Sequence, residues 1–384
     1  MCATVCSIVR ILHCITGLTG DGAQRMLLRL SSMMNANGSE SIVVNLGPVA
    51  PLVDQFRASG VPVVSLGMVP SWRGFARGLS LLRAEIRKYR PSVVQGWMYH
   101  GNLMVTLASL YSSNSHSKVF WNIRRSLDDL SKLSRRTQSV IRANRWLSWH
   151  PEGIIYCSTE SGAQHQQYGF SAKRTHVIEN GFDTKRFSLS SDVRIMTRNR
   201  LGIDDNQVAI GCVARYDPAK GHTYLLRALS LVCAHRPNVR VVLVGRNVDD
   251  RNQELTESIH ELGLGAVVKL LGEQDTIESI YSALDIYCSP SINEGFPNVI
   301  SEAMSMGLLC VVTDTGASMR LVGGSGYSVP TGDVEALAQA LFKAVDMDPA
   351  QRHSMGQRAR SIIVDNYGMN GTVQQYTALY QSLL

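Results

Sequence analysis

Short apolar runs alternate along the chain with stretches whose apolar residues recur every three or four positions. In the second half, QVAIGCVARY, NVRVVLVGR, VVKLLG, DIYCSP and LLCVVTD are apolar without strict alternation. That pattern predicts strands covered on both faces. Between them, GHTYLLRALSLVCAHRP carries Leu225, Leu226, Leu229, Val232 and Cys233 at helical spacing, and helices are predicted over 251–262, 277–283 and about 298–306. The first half repeats the scheme. Strands are predicted at RILHCI, SIVVNLG, VPVVSLG, SVVQGWM and KVFWNI, with GIIYCST as the last. GDGAQRMLLRLSSMMNANG reads as a helix opened by glycines and closed by Gly38. Strands alternating with helices predict two doubly wound, Rossmann-like α/β domains. Their expected bounds are 1–187 and 188–370, with a helix over 371–384 packing back on the first domain. Open parallel sheets bind ligands beyond the carboxyl ends of their strands. The chemistry is therefore expected on loops that follow strands, in a central cleft faced by both domains.

A chain of 384 residues accommodates two such domains, and 45% hydrophobic with 18% charged residues is an ordinary globular composition. No run reaches the ~18 apolar residues of a membrane span. The nearest, 93–111, is broken by Gln95, Gly96, His100, Gly101 and Asn102. The N-terminus lacks a basic segment followed by an apolar core, so no signal peptide is expected and the expected location is cytoplasmic. The eight cysteines show no zinc-type spacing, and free thiols in a reducing compartment are expected.

Charge changes the picture more. Residues 1–186 hold 22 Lys/Arg against 10 Asp/Glu (+12), and the remainder 16 against 21 (−5). A basic half points to an anionic partner. Within it, RRSLDDLSKLSRRTQSVIRANRWLSW has basic residues at 124, 125, 132, 135, 136, 142 and 145. Leu127, Leu130, Leu133, Val140, Ile141 and Leu147 recur at roughly helical spacing. A basic amphipathic helix of this kind can lie on an anionic membrane surface; a solvated helix packed on its own domain is the alternative. Nucleic acid is not expected, because the only interleaved aromatics are Trp121, Trp146 and Trp149.

Two loops carry chemistry. In VARYDPAKGH, Arg215 follows a strand and Lys220 precedes Gly221 at a helix start, placing two cations where a diphosphate could sit. In SPSINEGFPNVISEAMSMG, Glu294 lies after a strand, Pro297 suits the first helical position, Glu302 lies about one turn inside the helix and Gly307 closes it. The helix N-terminus favours phosphate, Glu302 can reach ribose hydroxyls and Glu294 can accept from a sugar. Taken singly, each of these residues reads more readily as a solvated surface charge.

Taken in order, VARYDPAKG, LVG, LLGEQDTI, YSALDIYCSPSINEGFPNVISEAM, VVTDTGA and GYSVPTGD resemble glycosyltransferase family 4, retaining enzymes of the GT-B fold. Glu294 and Glu302 match its E-x7-E pattern. GLTGDGAQRM resembles its glycine-rich donor loop and VIENGFDTKRF its interdomain motif, so the resemblance covers about residues 11–367. It implies that Arg215 and Lys220 bind the donor diphosphate and stabilise the departing nucleotide. Glu302 would bind ribose, and Glu294 with the backbone of Gly295, Phe296, Pro297, Asn298 and Val299 would hold sugar and phosphate. Gly22 would let the first domain's backbone approach the diphosphate, and Gly272, Glu273 and Gln274 would frame the base, uridine by family frequency. The implied partners are a nucleotide-sugar donor and a glycan acceptor in cell-surface polysaccharide synthesis, and docking of the basic segment on an anionic membrane would bring a lipid-diphosphate-linked acceptor within reach.

The resemblance has gaps. Asp21-Gly22-Ala23-Gln24 stands where many members have Gly-Gly-x-Glu. Arg124, in Asn122-Ile123-Arg124-Arg125, stands near where many have a histidine. His100 in WMYHGNL matches a histidine of relatives, and His100 and Arg124 are carried as sugar or acceptor contacts. No cofactor or metal is expected: the cations and a helix N-terminus would meet the leaving group's charge, and Asp346-Met347-Asp348 precedes Pro349 at a helix end. Retention is expected by front-face attack, with Glu294 as covalent nucleophile the lesser route. A GT-B epimerase and a non-catalytic nucleotide-sugar-binding module are the alternatives. A nicotinamide dehydrogenase would need a third glycine that LTGDGAQ lacks.

Overall fold

The computed structural model describes residues 9–110, 117–127 and 130–384; Cys2, Cys6, the N-terminal segment and the side chain of Lys132 lie outside the described part. The chain forms two compact units, Met1–Gly181 with Met369–Leu384, and Phe182–Gly368.

In the first unit the order is β1 (Arg10–Ile15), α1 (Gly22–Ala36), β2 (Glu40–Asn45), α2 (Leu52–Ala58), β3 (Val63–Ser65), α3 (Trp72–Tyr89), β4 (Val93–Trp97), α4 (Met98–Leu110), β5 (Lys118–Ile123), α5 (Arg135–Leu147), β6 (Gly153–Tyr156), α6 (Thr159–Gln167) and β7 (Thr175–Val177). The seven strands lie β3-β2-β1-β4-β5-β6-β7. All pairs are parallel, with Ile11 opposite Ser41 on one side and Val93 on the other. The last strand predicted from sequence is followed by a seventh, the three-residue THV of β7. Its residues are only partly buried or exposed, so it carries no apolar run to announce it.

The second unit runs α7 (Ser191–Leu201), β8 (Val208–Val213), α8 (His222–His235), β9 (Val239–Val244), α9 (Gln253–Glu261), β10 (Val268–Leu270), α10 (Ile277–Ala283), β11 (Ile286–Ser289), α11 (Asn298–Ser305), β12 (Leu309–Thr313), α12 (Ser318–Val322), β13 (Gly326–Val329), α13 (Val334–Asp346) and α14 (Pro349–Asn366). Its parallel sheet has the order β10-β9-β8-β11-β12-β13. Both sheets therefore reverse direction in the middle, at β1/β4 and at β8/β11, where such sheets bind ligands.

The last helix, α15 (Met369–Gln381), belongs to the first unit. Tyr376 and Tyr380 are fully buried there. Tyr380 donates to Gln95 Oε1 at 2.9 Å, and Tyr376 accepts from Asn122 Nδ2 at 2.7 Å. The division at Gly181/Phe182 and Gly368/Met369 lies a few residues before the bounds drawn from sequence. Phe182 N–H donates to Tyr367 O at 2.9 Å, so both chain segments entering and leaving the second unit are tied at one place. The basic segment is not one helix. Residues 124–127 are loop, Leu130–Lys132 is a 3-10 turn, and α5 starts after Ser134, whose hydroxyl accepts from Thr137 N–H. Ile141 is buried and Leu127, Leu130, Leu133, Val140 and Leu147 pack on the unit's own core, while Arg135, Arg136, Arg142 and Arg145 are exposed.

Two histidines of the first unit are buried and neutral. Burial pushes His13 down to about 3, against the raising effect of a hydrogen bond to Gln95 Oε1, and His165 down to about 4. The ordinary value is near 6.5. Between pH 6.5 and 4 the unfolded chain binds a proton at each and the folded unit does not. Stability is thus full above pH 6.5 and falls as pH drops, approaching about 3 kcal/mol per pH unit for the pair. All five tryptophans lie in the first unit, so urea midpoints followed by tryptophan fluorescence read it selectively. A midpoint unchanged from pH 6.5 to 4.5 would contradict the burial of neutral imidazoles.

Candidate functional site

The unusual residues of the second unit gather where β8 and β11 part. After β8 the chain turns through Ala214 to Arg215, which is exposed and donates from Nε and Nη2 to Asp217 Oδ2 at 3.2 and 3.1 Å. Asp217 Oδ1 also accepts from Ala219 N–H at 2.9 Å, capping the 3-10 turn Pro218–Lys220. Partial burial pushes the Asp217 carboxyl up, but this N–H and the Arg215 and Lys220 charges outweigh it and hold the carboxyl below its ordinary value.

Lys220 Nζ then donates to Glu294 Oε1 at 2.6 Å, with only 17% and 10% of the two side chains exposed. Such a pair is strong in coupling, and removing one partner costs about 3–5 kcal/mol by stranding the other charge. Close backbone approach makes it possible. Gly221 has φ +69°, and a Cβ there would stand 2.0 Å from Pro290 O at the end of β11. Ile292 N–H donates to Ala219 O at 2.8 Å, so the two loops are also joined by backbone.

Glu294 is held from three more sides. Ser291 Oγ donates to its Oε1 at 2.8 Å, its own N–H donates to Thr315 Oγ1 at 3.2 Å, and Gly316 (φ +54°) leaves no room for a Cβ, which would meet Glu294 O at 2.3 Å. Gly295 and Phe296 follow. The helix begins at Asn298, where the predicted span of about 298–306 starts, but Pro297 is its N-cap and not its first helical residue, with ψ 86° outside the helical region. Gly307 (φ +73°) lies just past the helix end, as expected. Phe296 is buried, its ring 6.0 Å from Phe182 and 5.9 Å from Tyr367. Glu302 Oε2 accepts from the hydroxyl of Tyr281, which also reaches Val299 O.

Gly272, Glu273 and Gln274 follow β10. Gly272 exchanges backbone bonds with Gly245 and Val248, Glu273 lies 3.8 Å from Arg246 Nε, and Gln274 Nε2 donates to Leu271 O at 2.6 Å. A cavity of 330 Å³ opens here, lined by Arg246, Asn247, Asp249, Arg251, Leu271, Gly272 and Glu273. Asp346 and Asp348 are drawn apart by other work: Asp346 takes both oxygens to Arg236, and Asp348 caps α14.

In the first unit, Gly22 opens α1 beyond β1. Its N-cap Asp21 forms a capping box with Gln24, whose Oε1 accepts from Gly20 and Asp21 N–H. His100 lies in the first turn of α4 beyond β4, the neighbour of β1; burial lowers its pKa and keeps it neutral. Arg124, beyond β5, is heavily engaged. Nε donates to Asn122 Oδ1 (2.6 Å), Nη1 to Ile178 O and Asn180 Oδ1 (2.7 and 3.1 Å), and Nη2 to the Tyr376 hydroxyl of α15. Burial lowers its pKa to about 10, still charged at neutral pH.

The sequence did not single out Asp217, Ser291, Thr315 or Tyr281. Asp217 was within reach, since an Asp before Pro is a turn-capping signal. The other three touch the E-x7-E carboxylates or their backbone through strand register and helix packing, which no local spacing encodes.

Known proteins agree on the fold. Residues 20–186 match the model of Glycosyltransferase Family 4 and residues 193–362 that of Glycosyl transferases group 1. The lipopolysaccharide core biosynthesis mannosyltransferase LpsB of Rhizobium meliloti (strain 1021) is 29% identical over 363 residues, covering 88% of this chain and 97% of its own. The phosphatidyl-myo-inositol mannosyltransferase of Mycobacterium leprae (strain TN) is 27% identical over 94% of this chain and 93% of its own. Among solved structures, Anabaena Alr3699/HepE in complex with UDP superposes with TM-score 0.86 at 23% identity, over 98% of this chain and 100% of that one. A glycosyltransferase from Rickettsia africae ESF-5 gives 0.83 at 20%, over 98% of each. The chain belongs to the family 4, group 1 glycosyltransferases, has their two-domain GT-B α/β fold, and is a sugar-transferring enzyme.

Proposed function

We propose that this enzyme transfers a sugar from a nucleotide-sugar donor to a glycan acceptor, with retention at the anomeric carbon, in cell-surface glycan synthesis. The observation that carries the reading is the Lys220–Glu294 contact of 2.6 Å beside Arg215, at the β8/β11 switch point and just before α11. Arg215 and Lys220 take the donor diphosphate, and their charge grows in value as the leaving oxygen becomes an anion. Glu294 and the backbone from Gly295 to Val299 hold the sugar and the adjacent phosphate. Glu302 takes the ribose hydroxyls, and the cavity beside Gly272–Gln274 takes the base.

The sugar–phosphate bond breaks as the acceptor hydroxyl attacks from the same face, and the acceptor proton passes to the departing phosphate oxygen. His100 touches the sugar or acceptor. Arg124 has four of its N–H groups committed within its own unit, so we assign it chiefly to holding Asn180 and α15, and only secondarily to the sugar or acceptor. Uridine is the base by family frequency. One relative, from Corynebacterium glutamicum, is named as GDP-mannose-dependent and the Anabaena protein was solved with UDP-glucose, so both bases belong in any test.

A lipid-diphosphate-linked glycan is the proposed acceptor, reached from an anionic membrane surface. Helices α3 and α5 flank α4 on one face of the first sheet. Arg73, Arg77, Arg87 and Lys88 of α3 and the four arginines of α5 are exposed on that layer. Trp72, Trp146 and Trp149 are 76%, 72% and 66% exposed, the amphipathic side chains that favour a bilayer interface. Among the described residues no helix is long and apolar enough to cross a membrane.

Three outcomes are expected. In thermal-shift assays with UDP-, GDP- and ADP-sugars, one donor stabilises the wild type, while Lys220→Ala and Glu302→Ala, each read against its own unliganded melting temperature, lose most of the shift. A folded protein indifferent to every donor would count against the donor site. Excess EDTA leaves transfer within about twofold, because side-chain cations and the α11 N-terminus meet the leaving charge; abolition restored by a divalent cation would reverse that assignment. The protein floats with anionic but not neutral liposomes, and Arg135→Glu with Arg136→Glu weakens partition at least about thirtyfold, from ~1 kcal/mol per basic residue. Equal flotation of the double variant would remove the membrane face.

A further inference from the structure

Glu302 does not stand alone on α11. We infer that Tyr281 is a positioning residue for Glu302, setting the carboxylate for the donor through a hydroxyl that itself touches no ligand. This inference rests on the reading of Glu302 as a donor contact.

Tyr281 sits on α10, fully buried. Its hydroxyl lies 3.2 Å from Glu302 Oε2 and 3.3 Å from Val299 O. One O–H proton shared between two acceptors accounts for both distances being long for an O–H donor. The two acceptors are three residues apart on one turn of α11. The phenol therefore registers α10 against α11 and the Glu302 side chain against its own helix.

A buried tyrosine needs a partner for its hydroxyl, and the Val299 carbonyl alone would serve a packing role. Sharing the proton with a half-buried carboxylate is what a packing role does not require. The ring cannot swing away: it meets Phe187 edge-on at 6.2 Å and Tyr287 at 5.8 Å. Phe187 is in turn fixed by Arg360, whose Nη1 donates to the Phe187 carbonyl at 2.8 Å. The phenol also stays a donor. Burial first, and then the Glu302 charge, push its ionisation well above the ordinary range. Arg186 adds a counter-charge to the same corner: it pairs with Glu278 and feels Glu302 and Asp183 as well. A glutamate loses rotamer freedom when it binds a ligand, and here the Tyr281 hydroxyl removes part of that freedom beforehand.

The test is Tyr281→Phe, which keeps the ring and removes the proton. UDP and GDP serve as binding probes by titration calorimetry, and UDP-glucose and GDP-mannose as donors in steady-state transfer. Expected is a rise of about tenfold in donor KM and in nucleoside diphosphate Kd, the size of one hydrogen bond to a charged group. The value of kcat should stay within about twofold, while the melting temperature falls by a few degrees for the buried bond that is lost. In a Glu302→Ala background the same change should cost less than about twofold, because its effect runs through the carboxylate. Phe187→Leu, which slackens the ring and keeps the hydroxyl, should raise KM about threefold and serves if Tyr281→Phe folds poorly.

An unchanged KM in Tyr281→Phe, or the same loss with and without Glu302, overturns the positioning role while leaving Glu302 in place. A Glu302→Ala enzyme with wild-type donor KM, or a wild type that binds neither probe, overturns the underlying reading instead.

Discussion

The second unit is organised around a charge pair that would be unfavourable almost anywhere else in a protein. Lys220 and Glu294 are both largely withdrawn from water, and the cost of withdrawing them is met only because they touch at 2.6 Å and are hydrogen-bonded around their periphery. That requirement explains the glycines beside them. The loops after β8 and β11 must come within backbone contact, and no side chain fits at Gly221 or Gly316 when they do. It also explains the hydroxyls, since Ser291 and Thr315 supply the donor and acceptor that a buried carboxylate and its backbone need.

Parallel topology makes such a site available. At β8/β11 the chain leaves the two strands towards opposite neighbours, and the loops diverge instead of crossing. The same reversal at β1/β4 puts the α1 start and His100 on adjacent strand ends of the first unit. Arg215, Lys220 and Glu294 occupy those ends in the second unit and Gly22 and His100 in the first, whereas Arg124 follows β5 and Gly272–Gln274 follow β10. Each sheet thus has a carboxyl edge that opens in the middle.

The first unit solves a different problem. Its C-terminal helix arrives after the chain has built the whole second unit, and it is secured by buried polar contacts and not by apolar packing alone. Arg124, Asn122 and Gln95 each meet a tyrosine of α15. Directional bonds of this kind select one register for a helix that arrives late, where apolar packing alone would tolerate several. Arg124 therefore has a structural reason to be an arginine, quite apart from any ligand: its planar fork reaches the loop before the crossing and the helix after it.

Period and composition were enough for two α/β domains, the boundaries of most strands, and the loops that bear Arg215, Lys220, Glu294 and Glu302. Those features are local, because strand and helix periods and turn residues are written in consecutive positions. The short edge strand β7 escaped, since three half-exposed residues make no pattern. So did the break of the basic segment at Ser134 and the engagement of Arg124 by α15, more than 250 positions away. Tyr281, Ser291 and Thr315 were ordinary residues until β11 and β12 took their register and α10 packed beside α11. Which carboxylate oxygen meets which donor is a matter of angstroms between elements far apart in the chain, and only tertiary packing sets distances of that kind.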